Sequence, residues 1–234
     1  MKRFRALIFD VDGTLAETEE VHRRAFNDAF SYFELPWFWD IGLYRTLLRV
    51  SGGKERIRHF IDHHSTGGPL LSAEQIAELH RVKNARYFEL MRNGDCRFRP
   101  GVADVLADAI ANKQLLAIAT TTSRENVAAL LATLEPRWSE LFQAVVCGED
   151  VERKKPSPEV YRKIVDLLGL PPHQCLAVED SRNGLLAAQG AGIPVLITRS
   201  FYFADDDFAG ALAVVANLAA LKDRSLPDLN MSDG

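Results

Sequence analysis

Two aspartates separated by one residue, Asp10 and Asp12, follow a short apolar run near the start of the chain. Gly13 comes directly after them, so the backbone can turn sharply where the run ends. Two carboxylates this close to a turn suit a hard cation, which takes oxygen ligands. Surface Asp-Gly turns show the same pattern, so the pair predicts a metal site only in combination with other groups.

Polar side chains also follow later apolar runs or stand just before a helical pattern. They are Thr120 with Thr121 and Ser123, Lys155, and Glu179 with Asp180. Hydroxyl and backbone N–H groups at the start of a helix bind anions. Taken singly, Thr120 fits a simple helix-start signal and Lys155 a solvated lysine. Since the carboxyl ends of parallel strands meet at one edge of a sheet, the whole set predicts a phosphoryl-transfer site there.

Phosphoryl transfer needs a nucleophile, a proton carrier and positive charge around the phosphate. A carboxylate can attack phosphorus to form an aspartyl-phosphate, which divides the hydrolysis into two steps. Mg²⁺ held by acidic residues lowers the repulsion between that carboxylate and the phosphate. Thr120 and Lys155 would bind the phosphoryl oxygens. A second carboxylate would protonate the leaving alkoxide and then activate water.

Composition and charge narrow the class of protein. The 234 residues are 47% hydrophobic and 26% charged, which is ordinary for a water-soluble globular protein. The net charge of −4 argues against a nucleic-acid partner. Neither a targeting segment nor an apolar run long enough for a bilayer is recognisable, so we expect a soluble, cytoplasmic protein without membrane contact.

Short apolar runs alternate with helical patterns over most of the chain. The runs cover residues 5–9, 115–119, 144–147, 175–178 and 194–197, and the helical patterns cover 102–112, 125–134, 157–168 and 183–190. Thr122 and Glu125 predict a capping box, and Ser157-Pro158 predicts a helix start. Runs rich in Val, Ile and Ala fit strands buried on both faces. The alternation predicts a doubly wound α/β fold with a parallel sheet.

The segment 16–96 is different, because it is mostly helical and amphipathic in pattern. Helices are predicted at residues 19–33, 37–48, 53–63 and 72–91. An insertion directly after the first strand overhangs the carboxyl edge of the sheet, where ligands bind in open α/β folds. We therefore predict a catalytic core of residues 1–15 and 97–234, with a helical cap domain at 16–96.

Four pieces of the chain together resemble the haloacid dehalogenase superfamily, in its phosphatase branch with a helical cap after the first strand. They are Asp10-Val11-Asp12-Gly13-Thr14-Leu15, Thr120, Lys155-Pro156 and Glu179-Asp180-Ser181. The resemblance implies a Rossmann-like core, with Asp10 as nucleophile and Asp12 as general acid and base. It also implies Mg²⁺ bound by Asp10, by the backbone carbonyl of Asp12 and by Asp180, with Glu179 nearby or bridged by water.

Further pieces resemble the CbbY-type branch of that family. They are AETEEVHRRAF at 16–26, WFWD at 37–40, GGKER at 52–56, HRVK at 80–83 and KKPSP at 154–158. This branch is similar to xylulose-1,5-bisphosphate phosphatases, which release xylulose 5-phosphate and phosphate. The resemblance therefore implies removal of a by-product that inhibits Rubisco, a task associated with the Calvin cycle.

A substrate with two phosphates needs a second anion site away from Asp10. The residues that would supply it are Gly52, Gly53, Lys54, Glu55 and Arg56, with His80 and Lys83 one helical turn apart. Lys54 and Arg56 offer positive charge beside a flexible Gly-Gly pair. In the alternative interpretation these residues form only a charged helix start, and His80 and Lys83 face solvent.

Two residues at the entrance of the helical segment, Glu19 and His22, are also one helical turn apart. They either contact hydroxyl groups of a sugar or remain surface residues. Trp37 and Trp39 fit the core of the cap better than a stacking platform for a ligand.

Two other functions fit parts of this pattern. A β-phosphoglucomutase-like phosphotransferase uses the same core and cap, but its product stays phosphorylated. A non-catalytic sugar-phosphate-sensing protein has no need for the complete set of acidic, hydroxyl and lysine side chains. The prediction is a Mg²⁺-dependent phosphatase that acts as a monomer on a small-molecule sugar phosphate.

Overall fold

A parallel β-sheet lies at the centre of the computed structural model, which describes residues 4–65, 68–92, 97–134 and 138–221. Within these residues its strands are β1 (Ala6–Phe9), β2 (Leu115–Ala119), β3 (Phe142–Val146), β4 (Cys175–Glu179), β5 (Val195–Thr198) and β6 (Ala213–Val215). Their order is β3-β2-β1-β4-β5-β6, and all neighbouring pairs are parallel. Strands are added first on one side of β1 and then on the other, so the predicted doubly wound α/β fold is confirmed.

Helices connect these strands. Those between β1 and β2 are α1 (Glu19–Tyr32), α2 (Ile41–Leu47), α3 (Gly53–His63), α4 (Ala73–Arg92) and α5 (Val102–Ala111). Those that follow are α6 (Arg124–Leu134), α7 (Trp138–Leu141), α8 (Glu159–Leu168) and α9 (Arg182–Gly190). None of the helices described here is long and apolar enough to cross a membrane.

The sheet is buried on both faces because successive residues of a strand point to opposite sides. In β1, Leu7 and Phe9 pack in one hydrophobic cluster with residues of α5 and α6. Ala6 and Ile8 pack in a second cluster with residues of α8 and α9. Each large side chain that is fully buried contributes about 1.5–3 kcal/mol of stability. This packing fixes the carboxyl ends of the strands, where the polar residues lie.

Helices α1–α4, called here the helical layer, have an aromatic cluster of their own. Trp37 and Trp39 are buried in it, as predicted, and the Trp39 ring lies 4.7 Å from Phe26 and 4.9 Å from Phe30 between centroids. Other residues of α1, such as Val21, pack in the same hydrophobic cluster as Leu7 and Phe9 of β1. The helical layer is therefore anchored to the sheet through α1, while its division into a separate cap domain stays a prediction.

Two segments, residues 13–18 and 97–101, join the sheet to the helical layer. Ala16 forms an antiparallel bridge with Phe98, and the N–H of Arg99 donates to the carbonyl oxygen of Leu15 at 2.8 Å. The two segments thus run side by side next to the turn that contains Asp12 and Gly13.

Several predicted boundaries are wrong. The pattern at 37–48 is helical only from Ile41, because the carboxylate of Asp40 accepts from the N–H of Leu43 at 2.8 Å and starts α2 there. The helix predicted at 157–168 is α8, and it begins at Glu159, so Ser157 is not its N-cap. Strand β6 has no counterpart among the predicted runs, because its three partly exposed residues lie at the sheet edge.

The predicted capping box before α6 is also corrected. The helix begins at Arg124, and the Oγ of Ser123 accepts from the N–H of Asn126 at 3.3 Å. Ser123 therefore caps this helix in place of Thr122. This shift leaves Thr122 within the turn that follows β2, next to the predicted phosphate-binding hydroxyls.

Candidate active site

Asp10 lies at the carboxyl end of β1, between the ends of β2 and β4. Its N–H donates to the carbonyl oxygen of Val178 at 3.0 Å, which continues the strand pairing up to the site. The chain turns at Gly13, which has φ +78. A Cβ at Gly13 would lie 2.0 Å from the Oδ2 of Asp180, so only glycine lets the turn approach that carboxylate.

Lys155 is buried between Asp10 and Glu179, with its Nζ 2.6 Å from an oxygen of each carboxylate. The same Nζ donates to the carbonyl oxygen of Ala119 at 2.8 Å. Burial alone would lower the pKa of Lys155, but the two carboxylates outweigh it and raise that pKa. The ammonium is therefore charged and held at a fixed point beside Asp10.

Glu179 is held in turn by Tyr161, a residue of α8 that the sequence did not mark. The Tyr161 hydroxyl donates to the Oε1 of Glu179 at 2.6 Å, and the Nζ of Lys155 lies 5.3 Å from the Tyr161 ring centroid. Burial and the charge of Glu179 raise the pKa of Tyr161 well above its ordinary value. The phenol consequently stays a neutral donor and orients Glu179 toward Lys155.

Three carboxylates, those of Asp10, Glu179 and Asp180, each offer an oxygen within 4.8 Å of the others. Burial and their mutual repulsion raise the pKa of Asp10 and of Asp180 well above the ordinary value. The Oε2 of Glu179 and the Oδ2 of Asp180 are buried without a hydrogen-bond partner among the described residues. Buried anionic oxygens without partners fit a hard cation such as Mg²⁺.

Thr120 lies one residue beyond β2 and is buried. Its N–H donates to the carbonyl oxygen of Val146 at 3.0 Å, and its Oγ1 accepts from the N–H of Thr122 at 3.2 Å. The Thr120 hydroxyl keeps its own proton to donate, and no acceptor for it is seen among the described residues. Thr121 and Ser123 line the same cavity.

The carboxylate of Asp12 turns away from the three-carboxylate cluster and toward α1. Its Oδ1 accepts from the hydroxyl of Thr18, and the Nε2 of His22 lies 3.0 Å away. Burial by itself would raise the pKa of Asp12, but His22 and the hydrogen bonds from His22 and Thr18 lower it to about 2. Asp10 and Asp12 therefore have opposite pKa shifts in the metal-free protein, and a cation bound at the three carboxylates would lower the pKa of Asp10 and keep it ionised.

His22 connects Asp12 to the opposite helix of the layer. The Nζ of Lys83, on α4, lies 2.7 Å from the Nδ1 of His22. Because an ammonium only donates, Nδ1 accepts this bond and the Nε2–H is left to donate to Asp12. Burial lowers the pKa of Lys83 to about 7, so this lysine can give up its proton near neutral pH.

A cavity between the strand ends and the helical layer brings almost all the predicted residues together. The predicted residues that line it are Asp10, Asp12, Glu19, His22, Gly52, Gly53, Lys54, Glu55, Arg56, His80, Lys83, Thr120, Thr121, Ser123, Lys155 and Asp180. Glu179 is the exception among them, because it is fully buried behind Lys155 and Tyr161.

Two of the predicted residues that line this cavity, Glu19 and Arg56, contact a buried tyrosine. The Tyr44 hydroxyl donates to the Oε2 of Glu19 at 2.7 Å and lies 3.2 Å from the Nη1 of Arg56. Lys54 is exposed at the start of α3, and Glu55 lies 3.6 Å from the Nζ of Lys154. Glu19 and Arg56 are thus fixed by Tyr44, whereas the Lys54 side chain lines the cavity and is exposed.

A family model for haloacid dehalogenase-like hydrolases matches residues 4–192. The chain belongs to this family. Its order of motifs along β1, β2 and β4 agrees with the match, and the prediction that it is an enzyme of the haloacid dehalogenase type is confirmed.

Three relatives are similar to this haloacid dehalogenase-like hydrolase over most of its length. Protein CbbY of Rhodobacter capsulatus is 47% identical over 226 residues, covering 96% of this chain and 98% of that protein. A crystal structure of a CbbY mutant from Rhodobacter sphaeroides in complex with xylulose 1,5-bisphosphate has a TM-score of 0.89 and 44% identity, covering 94% and 96% of the chains. Phosphoglycolate phosphatase of Salmonella typhi is 31% identical over 206 residues, covering 83% and 81%. The predicted resemblance to the CbbY branch is confirmed.

Replacing His80 with glutamine is expected to make this hydrolase less sensitive to acid. Burial and the nearby charge of Lys83 and Lys54 lower the pKa of His80 from 6.5 to about 3. As pH falls below 6.5 the unfolded chain binds a proton that the folded protein does not, so wild-type stability is lost. Between about pH 7.5 and pH 5 the variant should gain about 1–2 kcal/mol in free energy of unfolding relative to wild type.

Urea unfolding at the two pH values measures this difference. The exposed His173→Gln variant, which removes an imidazole from the surface, serves as the control. The prediction is contradicted if the free energies of unfolding of His80→Gln and wild type differ by the same amount at both pH values.

Proposed function

We propose that this protein is a Mg²⁺-dependent phosphatase that hydrolyses xylulose 1,5-bisphosphate to xylulose 5-phosphate and phosphate. The observation that carries the proposal is the different setting of its two aspartates. Asp10 lies among Lys155 and two further carboxylates, whereas Asp12 is bound to His22 on the helical side of the cavity. The first setting supports Asp10 as the group that attacks a phosphate, and the second supports Asp12 as the group that exchanges a proton with the leaving oxygen.

In the first step an oxygen of Asp10 attacks phosphorus while the bond between phosphorus and the sugar oxygen breaks. Thr120 donates its free hydroxyl proton to a phosphoryl oxygen, and the charge of Lys155 attracts the same group. Because Lys155 is held by Asp10, Glu179 and the carbonyl of Ala119, its position does not depend on the substrate.

Because Asp12 is already ionised, the proton for the leaving sugar oxygen comes through Asp12 from the Nε2–H of His22, and Lys83 gives its own proton to Nδ1 of His22. Asp12 is a carboxylate again after this transfer. In the second step this carboxylate removes a proton from water, and the water oxygen attacks the aspartyl-phosphate. The bond between phosphorus and Asp10 breaks, which releases phosphate and restores Asp10. The proton taken from water passes from Asp12 to Nε2 of His22, and Nδ1 of His22 returns a proton to Lys83, so all three groups are restored.

Mg²⁺ would be held by Asp10, Asp180 and the main-chain carbonyl of Asp12, with Glu179 behind them. When bound it supplies positive charge that offsets the repulsion between the nucleophilic carboxylate and the phosphate. The buried oxygens without partners described above support this assignment.

The second phosphate of the substrate would bind at the start of α3. Lys54 brings a positive charge there, and the first N–H groups of an 11-residue helix are free to bind an anion. Glu19, fixed by Tyr44, offers an acceptor for a sugar hydroxyl between the two phosphate positions. The similarity to the CbbY structure solved with xylulose 1,5-bisphosphate supports the choice of this substrate. Hydrolysis of xylulose 1,5-bisphosphate would relieve the inhibition of Rubisco during carbon fixation.

Phosphate release in Mg²⁺ over a panel of sugar phosphates tests the proposed function. The panel contains xylulose 1,5-bisphosphate, ribulose 1,5-bisphosphate, xylulose 5-phosphate, 2-phosphoglycolate and β-glucose 1-phosphate. The highest kcat/KM should belong to xylulose 1,5-bisphosphate, and chelation of the metal should stop the reaction. Faster hydrolysis of any monophosphate would contradict the substrate assignment. A phosphorylated isomer formed without phosphate release would indicate a phosphoglucomutase-like transferase.

Replacing Lys54 with glutamine is expected to weaken bisphosphate binding more than monophosphate binding. The change removes the positive charge at the second phosphate position, so KM for the bisphosphate should rise about 10-fold, in keeping with the loss of one charge-assisted hydrogen bond. Arg81→Gln, which removes an exposed charge from the same helical layer, is the matched control. Equal effects on KM for both classes of substrate would argue against a second phosphate site at α3.

A further inference from the structure

Arg99 connects four separate parts of the fold through one buried side chain. Its Nη1 donates to the carbonyl oxygen of Gly13 and, at 2.9 Å, to the Oγ1 of Thr198. Its Nη2 donates to the carbonyl oxygens of Arg199 and Ala216. Its Nε lies 3.0 Å from a carboxylate oxygen of Glu17. Every N–H of this guanidinium faces an acceptor, although the side chain touches none of the groups that carry out the chemistry.

Two of these acceptors lie on either side of the predicted metal ligand Asp180. At Gly13, an added Cβ would lie 2.0 Å from the Oδ2 of Asp180 and 3.2 Å from the Cβ of Ser200. Thr198 and Arg199 lead directly to Ser200 at the end of β5. By binding both segments, Arg99 fixes the distance between the turn after β1 and the loop after β5. The carboxylate of Asp180 lies in the space between them.

The backbone of Arg99 holds the same turn a second time. Its N–H donates to the carbonyl oxygen of Leu15 at 2.8 Å, two residues beyond Gly13. Main chain and side chain of one residue therefore fix both ends of the Gly13–Leu15 turn. Asp12 directly precedes this turn, so the orientation of its carbonyl group depends on the same contacts.

We propose that Arg99 is a positioning residue that fixes the turn after β1 against Asp180 and thereby sets the affinity of the site for Mg²⁺. Only arginine can do this, because its planar fork presents five N–H groups in fixed directions, whereas lysine has three and no fork. The inference rests on the proposed function in one respect, the binding of a cation at the three-carboxylate cluster.

Calorimetric titration of metal-free protein with Mg²⁺ tests the proposal without relying on turnover. Arg99→Lys keeps the charge but loses the fork, and Arg99→Met loses both. We expect the Kd for Mg²⁺ to rise about 10–100-fold in each, as for other residues that orient metal ligands. Thr198→Val, which removes a single acceptor, should raise it less. Phosphate release should be slower than in wild type at sub-saturating Mg²⁺ and should recover as Mg²⁺ is raised to saturation, with KM for the sugar phosphate unchanged.

Arg182→Met is the matched control, because Arg182 lies two residues after Asp180 and also binds backbone carbonyls, those of Asp207 and Ala209, but not that of Gly13. It should leave the Kd for Mg²⁺ unchanged. The proposal is overturned if folded Arg99→Lys binds Mg²⁺ within twofold of wild type, or if Arg182→Met weakens binding equally. Should both Arg99 variants fail to fold, Thr198→Val decides by the same criterion. Wild-type protein that binds no Mg²⁺ would overturn the metal assignment of the proposed function itself.

Discussion

Asp10→Asn is expected to lower the rate of phosphate release by about 10⁴-fold or more, the usual cost of removing a nucleophile. Asparagine has nearly the same shape and can still accept the hydrogen bond from Lys155, but it cannot form the acyl phosphate. It also removes one of three buried negative charges that repel one another in the metal-free protein. The free energy of unfolding without metal should therefore stay within about 1 kcal/mol of wild type or rise.

Two measurements separate loss of chemistry from loss of structure in this variant. Phosphate release gives the rate, and urea unfolding gives the stability. Asp166→Asn, an exposed position on α8, is the control and should keep full activity. Turnover by a folded Asp10→Asn protein at more than about a hundredth of the wild-type rate would refute the nucleophile assignment.

Lys155→Met is expected to damage both stability and turnover. The change leaves Asp10 and Glu179 buried without their shared cation, and removing one partner of a buried ion pair costs about 3–5 kcal/mol. The phosphate also loses a preorganised positive charge, which should lower kcat by roughly 10²–10³-fold. The methionine side chain fills a similar volume, so lost packing contributes little.

Lys163→Met provides the comparison, since this exposed lysine of α8 binds only the carbonyl oxygen of Asp150 among the described residues. Its free energy of unfolding and its kcat should match those of wild type. If Lys155→Met unfolds at the wild-type urea concentration, the two carboxylates do not depend on Lys155 for their burial, and the account of this cluster given above is wrong.

The sheet and the residues at its edge could be predicted because each signal is local in the sequence. A short run such as Leu115–Ala119 is buried on both faces, so every residue in it is apolar, and the next residue, Thr120, is the first polar one. Asp10 follows β1 and Glu179 ends β4 in the same way. A parallel sheet then brings these positions to one edge.

Contacts between distant segments gave no such signal. His22 and Lys83 are 61 residues apart, and their contact depends on how α1 packs against α4. Tyr161 looks like any apolar position of an amphipathic helix until the structure shows its hydroxyl on Glu179. Arg99 precedes a Pro-Gly turn in the sequence, and nothing nearby indicates that the partners of its side chain lie 82–117 residues away along the chain, from Glu17 to Ala216.

The hydrogen-bonded series from Asp12 through His22 to Lys83 has a consequence for engineering. The proposed nucleophile, Asp10, follows β1 of the sheet, but the two side chains hydrogen-bonded in series to Asp12 belong to α1 and α4. A chimera that joined this sheet to the helices of another family member would keep Asp10 and Lys155. It would lose His22 and Lys83, and with them the series through which Asp12 exchanges its proton. Exchanging the helices would therefore change the turnover rate as well as the substrate preference, unless the histidine and the lysine are transferred together.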